Sequence, residues 1–223
     1  VKLLSEVISE GDKVAVKLHM GELGNPHYLR PALVRRVVDL IKEVGGRPFV
    51  TDTTTLYPMA RFTEAGYLKT AAYNGFTRDT VNAPVIIADA PRYESVVEKP
   101  LRVVSGCKLK EVEVAGAIAE ADCMVVLTHF KGHLLVGFGG SIKNVGMGCV
   151  TKRGKSDQHA VNRPIFNEDL CTGCERCVQS CVYGALKMKG GKPFMELEKC
   201  TSCNMCRLAC PNEAWSLPED SKE

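Results

Sequence analysis

The sequence has no apolar run that approaches the ~18–20 residues a helix needs to span a bilayer. It has little excess of charge, with 29 Lys and Arg against 26 Asp and Glu, so nothing favours a nucleic-acid-binding protein. It contains neither a Walker phosphate loop nor the dinucleotide-binding glycine fingerprint. Its content of 45% hydrophobic and 25% charged residues is instead typical of a soluble globular protein.

Cysteine is the residue that the sequence has in excess. Eight of the 11 cysteines form two copies of the pattern C-x2-C-x2-C-x3-C, offset by 29 residues. In two-cluster ferredoxins the first three cysteines of such a run hold one [4Fe–4S] cluster, and the fourth ligates the other cluster. The sequence therefore predicts two [4Fe–4S] clusters, one held by Cys171, Cys174, Cys177 and Cys210, and the other by Cys200, Cys203, Cys206 and Cys181.

Two other uses of these cysteines fit the pattern poorly. A zinc ribbon needs four ligands in paired C-x2-C units and would leave the third cysteine of each copy unused. Disulfides do not explain so regular an array. Because cluster thiolates must stay reduced during assembly, the pattern favours the cytoplasm.

The internal repeat resembles bacterial two-cluster ferredoxins over about residues 165–217. Pro211 follows the fourth cysteine of the second copy, whereas Val182 stands at that place in the first. Residues 185–198 alternate around Gly190-Gly191, which predicts a β-hairpin. We expect an α/β domain over residues 1–162, lacking its native N-terminus because the chain begins at Val1, and a small α+β ferredoxin-like domain over residues 163–223.

The first 160 residues alternate predicted strands and helices, which favours an α/β fold with a mostly parallel sheet. In such sheets ligands bind beyond the carboxyl ends of the strands. The expected strands are 14–20, 47–51, 85–88 and 123–128, the expected helices are 2–10, 31–44, 60–74 and 112–120, and a hairpin is expected within 94–104. The 152–155 stretch, Lys-Arg-Gly-Lys, is expected to be a solvated loop.

The last of these strands opens into a segment rich in glycine, residues 129–148. Six glycines in 132–148 lie among histidine, lysine and asparagine side chains, and glycine permits a ligand to approach backbone N–H groups closely. A glycine-rich turn without a ligand is the alternative. We take as candidate ligand-binding residues Arg30, Lys131, His133, Gly139, Gly140, Lys143 and Asn144, with Asp52 at the wall of the site.

Three segments resemble the family known as domain of unknown function 362. They are LHMGELGN with HYLRP (18–31), TDTTTLYP (51–58) and THFKGH with GFGGSIKNVGMG (128–148). Members of that family often carry a C-terminal two-cluster ferredoxin module, so the resemblance covers nearly the whole chain. It implies an iron–sulfur protein with an α/β domain, and it supplies no reaction.

The segment from His133 to Lys143 is more distantly similar to nickel-pincer lactate racemase. That family has a His, then G-F-x-G-G-x-K, with its lysine joined to a nickel-bearing nucleotide. Here the glycine pair is shifted by one position, and His27 stands where an Asp is expected beside Arg30. The resemblance implies an anionic or nucleotide-like ligand near Arg30, His133 and Lys143, with His159 at the place of a nickel-ligating histidine.

These observations leave three functions open. The first is a redox protein, an oxidoreductase in which the ferredoxin module exchanges single electrons with a partner protein or with a small-molecule substrate in the α/β domain. The second is a non-redox enzyme or cofactor-binding protein with structural clusters. The third is a scaffold that docks the ferredoxin module to a larger complex.

Overall fold

A computed structural model describes residues 2–91, 97–100, 109, 111–133 and 137–218 of the chain. Its contacts divide the chain into two compact units. The first comprises Val1–Thr55 and Met59–Gly154, and the second comprises Leu56–Pro58 and Lys155–Glu223. Within the described residues, no helix has the length and apolar character needed to cross a membrane.

The first unit is an α/β fold, as the sequence predicts. Its central sheet has four parallel strands in the order β3-β2-β1-β6. Two antiparallel strand pairs, β4 with β5 and β7 with β8, lie outside that sheet. The elements are α1 (Lys2–Ser5), β1 (Lys13–Lys17), α2 (Pro31–Glu43), β2 (Arg47–Asp52), α3 (Glu64–Tyr73), α4 (Arg78–Val81), β3 (Val85–Ile87), β4 (Val97–Pro100), β5 (Glu111–Val114), α5 (Gly116–Ala119), β6 (Cys123–Val126), β7 (Lys131–His133), β8 (Gly137–Gly139) and α6 (Ser141–Gly146).

Both faces of the sheet are covered, which explains why its strands are nearly continuous apolar runs. In β1, Val14 and Val16 belong to one hydrophobic cluster and Ala15 to another on the opposite face. Helix α2 begins at Pro31, where the missing N–H is harmless, and packs the stripe Val34, Val38 and Ile41 against the first cluster. The carboxyl ends of β1, β2 and β6 therefore meet at one edge.

Three local predictions were wrong. The helix expected over 112–120 is instead β5 followed by α5, because Val112 and Val114 alternate with two glutamates at the period of a strand. The strand β5 pairs with β4, so the hairpin expected within 94–104 does not close on itself; residues 92–96 and 101–108 lie outside the described part. Helix α1 ends at Ser5 and does not continue to residue 10.

The basic stretch 152–155 is also not a loop. It begins helix α7 (Lys152–His159), and the Lys155 side chain is buried. Lys152 packs on the ring of Phe62, with its Nζ atom 3.6 Å from the ring centroid, and donates a hydrogen bond to the Phe62 carbonyl oxygen at 2.5 Å. Burial consequently lowers the pKa of Lys152.

The second unit contains all eight motif cysteines. Strands β10 and β11 form the predicted antiparallel hairpin around Gly190-Gly191, with Lys189 opposite Lys192. Strands β9 and β12 form a second antiparallel pair. After α7 and a 3-10 turn (Ala160–Asn162), the elements are β9 (Ile165–Phe166), α8 (Arg176–Gln179), β10 (Leu186–Lys189), β11 (Lys192–Met195), α9 (Met205–Ala209) and β12 (Trp215–Ser216).

The backbone of this unit repeats at the 29-residue offset of the sequence motif. Three pairs of matched positions all adopt the left-handed conformation, which non-glycine residues rarely do. The pairs are Gly173 (φ 72°) with Ser202 (φ 55°), Glu175 (φ 61°) with Asn204 (φ 62°), and Gly184 (φ 62°) with Glu213 (φ 52°). Each motif copy thus forms the same loop and leads into the same short helix, α8 or α9.

Candidate functional sites

The motif cysteines of the second unit line two cavities. One has an empty volume of about 340 Å³, part of it open to solvent, and is lined by Cys181, Cys200, Cys203 and Cys206. The other has an empty volume of about 320 Å³ and is lined by Cys171, Cys174, Cys177 and Cys210. In each cavity three cysteines come from one motif copy and the fourth from the other copy. The two motif copies thus exchange their fourth cysteines.

The remaining walls of the cavities are largely apolar. The cavity at Cys181 is closed by Ala185, Leu186 and Met195, and the cavity at Cys171 by Met188, Pro193 and Trp215. Burial, with a contribution from Cys203, raises the pKa of the Cys206 thiol to about 12. Burial likewise raises the pKa of Cys177. Metal binding in these cavities must therefore displace protons from the thiols.

Two backbone N–H groups point at cysteine sulfurs. The backbone N–H of Gly173 donates to Sγ of Cys171 at 3.4 Å, and that of Ala214 donates to Sγ of Cys210 at 3.3 Å. A Cβ atom at position 173 would lie 2.9 Å from the Gly191 carbonyl oxygen, so only glycine fits this loop. Such donors stabilise thiolate sulfur that carries negative charge.

The donor set fits an iron–sulfur cluster. Four thiols line each cavity, and a cubane cluster takes four thiolates, one on each of its irons. Soft sulfur ligands also suit iron–sulfur clusters.

A second candidate site lies in the first unit, where β1, β2 and β6 end. The Nζ atom of Lys17, at the end of β1, lies 2.8 Å from Oδ1 of Asp52, at the end of β2. The same Nζ atom donates to Oδ1 of Asn144 in α6 at 2.7 Å. The Tyr67 hydroxyl donates to Oδ2 of Asp52. Asn144 in turn donates to the carbonyl oxygen of Leu127, which follows β6, at 3.0 Å.

This network is buried, and its charges hold Asp52 ionised. Burial by itself raises the pKa of Asp52, but the charges of Lys17 and Arg61 outweigh it and leave the pKa below its ordinary value. Burial raises the pKa of Tyr67 well above its ordinary value, and Asp52 raises it further. Tyr67 therefore serves as a hydrogen-bond donor throughout the physiological pH range.

His19, two residues beyond β1, stays neutral near this network. Burial and the charge of Arg61 lower its pKa to about 3. Its Nδ1 atom accepts the backbone N–H of Gly21 at 2.9 Å, so the proton of the neutral ring is on Nε2. Arg61 forms an ion pair with Glu22 and lies over the Tyr67 ring at 5.1 Å from the centroid.

The structure places the predicted ligand-binding residues at different depths. Asn144 belongs to the buried network, and Lys131 lies near enough to Arg61 that burial and the Arg61 charge lower its pKa. Arg30 precedes α2, is exposed, and makes no side-chain hydrogen bond or ion pair with a described residue.

The glycine segment itself forms the strand pair β7–β8, in which Lys131 faces Gly139 and His133 faces Gly137. Gly140 then occupies the N-cap position of α6. His133 and Lys143 are half-buried, and a Cβ atom on Gly139 would lie 3.8 Å from Cδ of Lys143. His159 ends α7 in the second unit.

Sequence reasoning missed Lys17, Arg61 and Tyr67. A signal for Lys17 was present, because a lysine within the apolar run 14–18 must find a buried partner or be destabilising. Lys17 also explains one glycine of the motif. A Cβ atom on Gly148 would lie 2.5 Å from Nζ of Lys17 and 2.4 Å from the Asn144 carbonyl oxygen. This glycine makes room for a protein side chain.

Comparison with known families gives two matches. The family described as "Domain of unknown function (DUF362)" matches residues 14–200. The family described as "4Fe-4S binding domain" matches residues 194–216, which include the second cysteine motif. The C-terminal part of the chain is therefore a ferredoxin-like region that binds a 4Fe–4S cluster.

Similar curated proteins match short stretches of this chain. An uncharacterized ferredoxin of Methanocaldococcus jannaschii is 40% identical over 50 residues, which are 22% of this chain and 30% of that protein. A ferredoxin of Pyrobaculum islandicum is 36% identical over 60 residues, 26% of this chain and 56% of that protein. A component of an ion-translocating oxidoreductase complex of Methanosarcina acetivorans is 43% identical over 47 residues, 21% of this chain and 18% of that protein. In each case the match covers less than two thirds of the relative.

Proposed function

The chain belongs to the DUF362 family, and we propose that it is a redox protein that binds two [4Fe–4S] clusters and transfers single electrons to or from a small-molecule site in its α/β unit. The observation that carries this proposal is the pair of cavities, each lined by four cysteines. A bound [4Fe–4S] cluster supplies one-electron chemistry at potentials set by its surroundings.

The residues around the cavities have separate tasks under this proposal. Cys171, Cys174, Cys177 and Cys210 hold one cluster, and Cys200, Cys203, Cys206 and Cys181 hold the other. The apolar walls exclude water, and the N–H groups of Gly173 and Ala214 orient and stabilise two of the thiolates.

Iron and sulfide counts on anaerobically purified protein test the number of clusters. We expect about eight irons and eight sulfides per chain, and a paramagnetic resonance signal after dithionite reduction. A preparation with four irons, or clusters that dithionite does not reduce, would overturn the proposal. Cys123→Ala serves as a control, because Cys123 lies in β6 of the first unit, outside both motifs.

Paired substitutions test the exchange of the fourth cysteines. Cys181→Ala should remove about four irons, and adding Cys200→Ala should remove few more, because both cysteines serve one cluster. Cys181→Ala combined with Cys171→Ala should remove nearly all iron. The reverse pattern would show that each motif copy holds its own cluster.

For the α/β unit we propose an anion site at the ends of β1, β2 and β6. It would use Arg30, Lys131, His133, Gly139, Gly140, Lys143 and Asn144, beside the network of Lys17 and Asp52. Cationic side chains near backbone donors favour a carboxylate or a phosphate. The distant similarity to lactate racemase supports Lys143 as the residue closest to the ligand.

Titration calorimetry with inorganic phosphate tests this site. The wild-type protein should bind phosphate, and Lys143→Ala should abolish binding while the iron content stays unchanged. Lys69→Ala is the matched control, because Lys69 is an exposed lysine of α3. Equal phosphate binding by all three proteins would exclude the site.

One observation favours a second function, a non-redox enzyme or cofactor-binding protein. The first unit has a buried ion pair and further hydrogen bonds at the ends of its strands. The strand ends are the usual place of a ligand site in this fold class. In that function the clusters would be structural. Phosphate binding by a protein whose clusters resist reduction would support it over electron transfer.

A further inference from the structure

An ion pair between Arg61 and Glu22 lies beside the buried network at the strand ends. The Arg61 side chain is only 7% exposed, whereas that of Glu22 is 31% exposed. The Arg61 guanidinium lies over the ring of Tyr67, 5.1 Å from its centroid, and the Tyr67 hydroxyl donates to Asp52 at the end of β2. Arg61 is therefore held at the edge of the sheet where ligands bind in this fold class.

The two partners of this ion pair are held unequally. The backbone carbonyl oxygen of Arg61 accepts the N–H of Thr55 at 3.1 Å, and its guanidinium is fixed by the stacking on Tyr67. Glu22 instead stands at the start of an exposed turn, residues 23–27. The Glu22 carboxylate can consequently leave Arg61 without disturbing the hydrophobic core, whereas the Arg61 side chain stays in place.

The charges at this edge leave room for another anion. Lys17 is paired with Asp52, and Arg61 with Glu22. Lys131 is half-buried at the start of β7, and its side chain makes no hydrogen bond or ion pair with a described residue. Burial and the charge of Arg61 lower the pKa of Lys131, so an anion close to both cations would be stabilised by both.

The chemistry of the pair explains how such an anion could bind. A guanidinium binds a carboxylate or a phosphate through two parallel N–H donors. A buried arginine also needs a counter-charge at all times, because an unpaired buried charge is strongly destabilising. Glu22 supplies that counter-charge to Arg61, and the oxygens of a ligand carboxylate or phosphate offer Arg61 the same contacts.

We infer that Arg61 is a binding residue of the anion site, and that Glu22 occupies it as an internal substitute until the carboxylate or phosphate of a ligand takes its place. Binding releases Glu22 to solvent and leaves Arg61 neutralised by the ligand. The inference rests on the proposed anion site, to which it adds one binding residue and one competing carboxylate.

Titration calorimetry with inorganic phosphate tests this exchange. Glu22→Gln keeps an oxygen that can accept from Arg61 but removes the competing charge. It should tighten phosphate binding by about tenfold over the wild type, because a competing contact lowers the fraction of the protein that can bind the anion. Glu43→Gln is the matched control, since Glu43 pairs with Arg36 at the surface of α2. The control should bind phosphate as the wild type does, and equal affinity of all three proteins would overturn the inference.

A double-mutant cycle separates competition from the mere loss of a nearby negative charge. Arg61→Met should weaken phosphate binding, and adding Glu22→Gln to it should give no gain, because the gain passes through Arg61. A tenfold gain in that background would mean that Glu22 acts on phosphate without Arg61, contrary to the inference. If Arg61→Met does not fold, the hydrogen exchange of the wild-type protein decides in its place.

Hydrogen exchange at short labelling times follows the release of Glu22 without any substitution. The N–H of Asn25 bonds the Glu22 carbonyl oxygen at 3.2 Å, and the N–H of His27 bonds Oδ1 of Asn25 at 2.8 Å. Saturating phosphate should speed exchange at both, because the turn loses the ion pair that holds its first residue. Slower or unchanged exchange would show that Glu22 remains on Arg61, and the inference would fall.

The outcomes distinguish this inference from the proposed function. Phosphate binding that Lys143→Ala abolishes but that Glu22→Gln leaves unchanged would overturn the inference and keep the anion site. The absence of phosphate binding from both the wild type and Glu22→Gln would overturn the anion site itself.

Discussion

Nζ of Lys17 lies 2.8 Å from Oδ1 of Asp52, and the two side chains are only 1% and 5% exposed. Two charges so deeply buried are stable only as a pair, because each alone would carry the full penalty of leaving water. The pair joins the ends of β1 and β2, and its bond to Asn144 fastens α6 to them. The charged side chain of Lys17 thus holds the α6 end of the glycine segment against the sheet.

We expect Lys17→Met to lower the free energy of unfolding of the first unit by about 3–5 kcal/mol, because it leaves Asp52 buried and unpaired. Lys13→Met is the matched control in the same strand. Lys13 pairs with Glu120 at the surface, so its loss should cost under about 1 kcal/mol. Unfolding in urea, monitored by hydrogen exchange of β1 and β2, measures the loss of stability in both variants. Equal effects would show that the buried pair is not special.

Gly148→Ala tests the same anchor from the other side. Its new methyl group would lie 2.5 Å from Nζ of Lys17 and 2.4 Å from the Asn144 carbonyl oxygen. Such overpacking should destabilise the first unit by about 1–3 kcal/mol. Gly146→Ala, at a position with nothing within 4 Å, should be neutral or slightly stabilising, because alanine favours a helix. Thermal unfolding of the two variants, side by side, would reveal the difference.

The parts that the sequence predicts well are those set by local patterns. The strands of the parallel sheet, the start of α2 at Pro31 and the hairpin at Gly190-Gly191 all follow from hydrophobic period and turn chemistry. Strand β5 was mistaken for a helix although Val112 and Val114 alternate with two glutamates at the period of a strand, because so short an alternation runs directly into the helical residues of α5.

The partners of Lys17 could not be predicted from local patterns. The bonds from Lys17 to Asp52 and Asn144 cross the sheet and join residues far apart in the chain. A sequence can signal that a buried lysine needs a partner, but it does not say which carboxylate or amide is near. The cysteine cavities, in contrast, could be predicted, because the repeated motif itself indicates that the fourth cysteine of each copy joins the other copy.

His19 predicts a pH dependence in the first unit. Its pKa is about 3 in the folded protein and about 6.5 when unfolded, so the unfolded state takes up the proton first. The contribution of neutral His19 to the free energy of unfolding is fully present above about pH 6.5. It is lost as the pH falls toward 3, with about 2 kcal/mol lost by pH 5. Asp52 adds nothing between pH 7 and 5, because its carboxyl group is ionised there in both the folded and the unfolded state; its lowered pKa affects stability only below its ordinary value of 3.8.

Hydrogen exchange of peptides from β1 and β2 at pH 7, 6 and 5 measures this loss once intrinsic exchange rates are removed. The control is His19→Asn, whose amide oxygen can accept the Gly21 N–H as Nδ1 of His19 does but does not titrate. The variant should show little change in stability between pH 7 and 5. A wild-type protein as insensitive as the variant would disprove the role of His19.

Gly173 makes a prediction for the second unit, where steric fit can be separated from backbone strain. Gly173 and Gly190 both have positive φ, of 72° and 59°, so alanine strains the backbone at either position. Only at Gly173 would the new Cβ atom meet another group, the Gly191 carbonyl oxygen at 2.9 Å; at Gly190 nothing lies within 4 Å. The N–H of Gly173 also bonds the sulfur of Cys171, so a shift of this loop moves a thiol. We therefore expect Gly173→Ala to lose up to about four irons per chain, the content of one cluster, during anaerobic gel filtration. Gly190→Ala should keep its iron, and a similar loss from both would point to backbone strain as the cause.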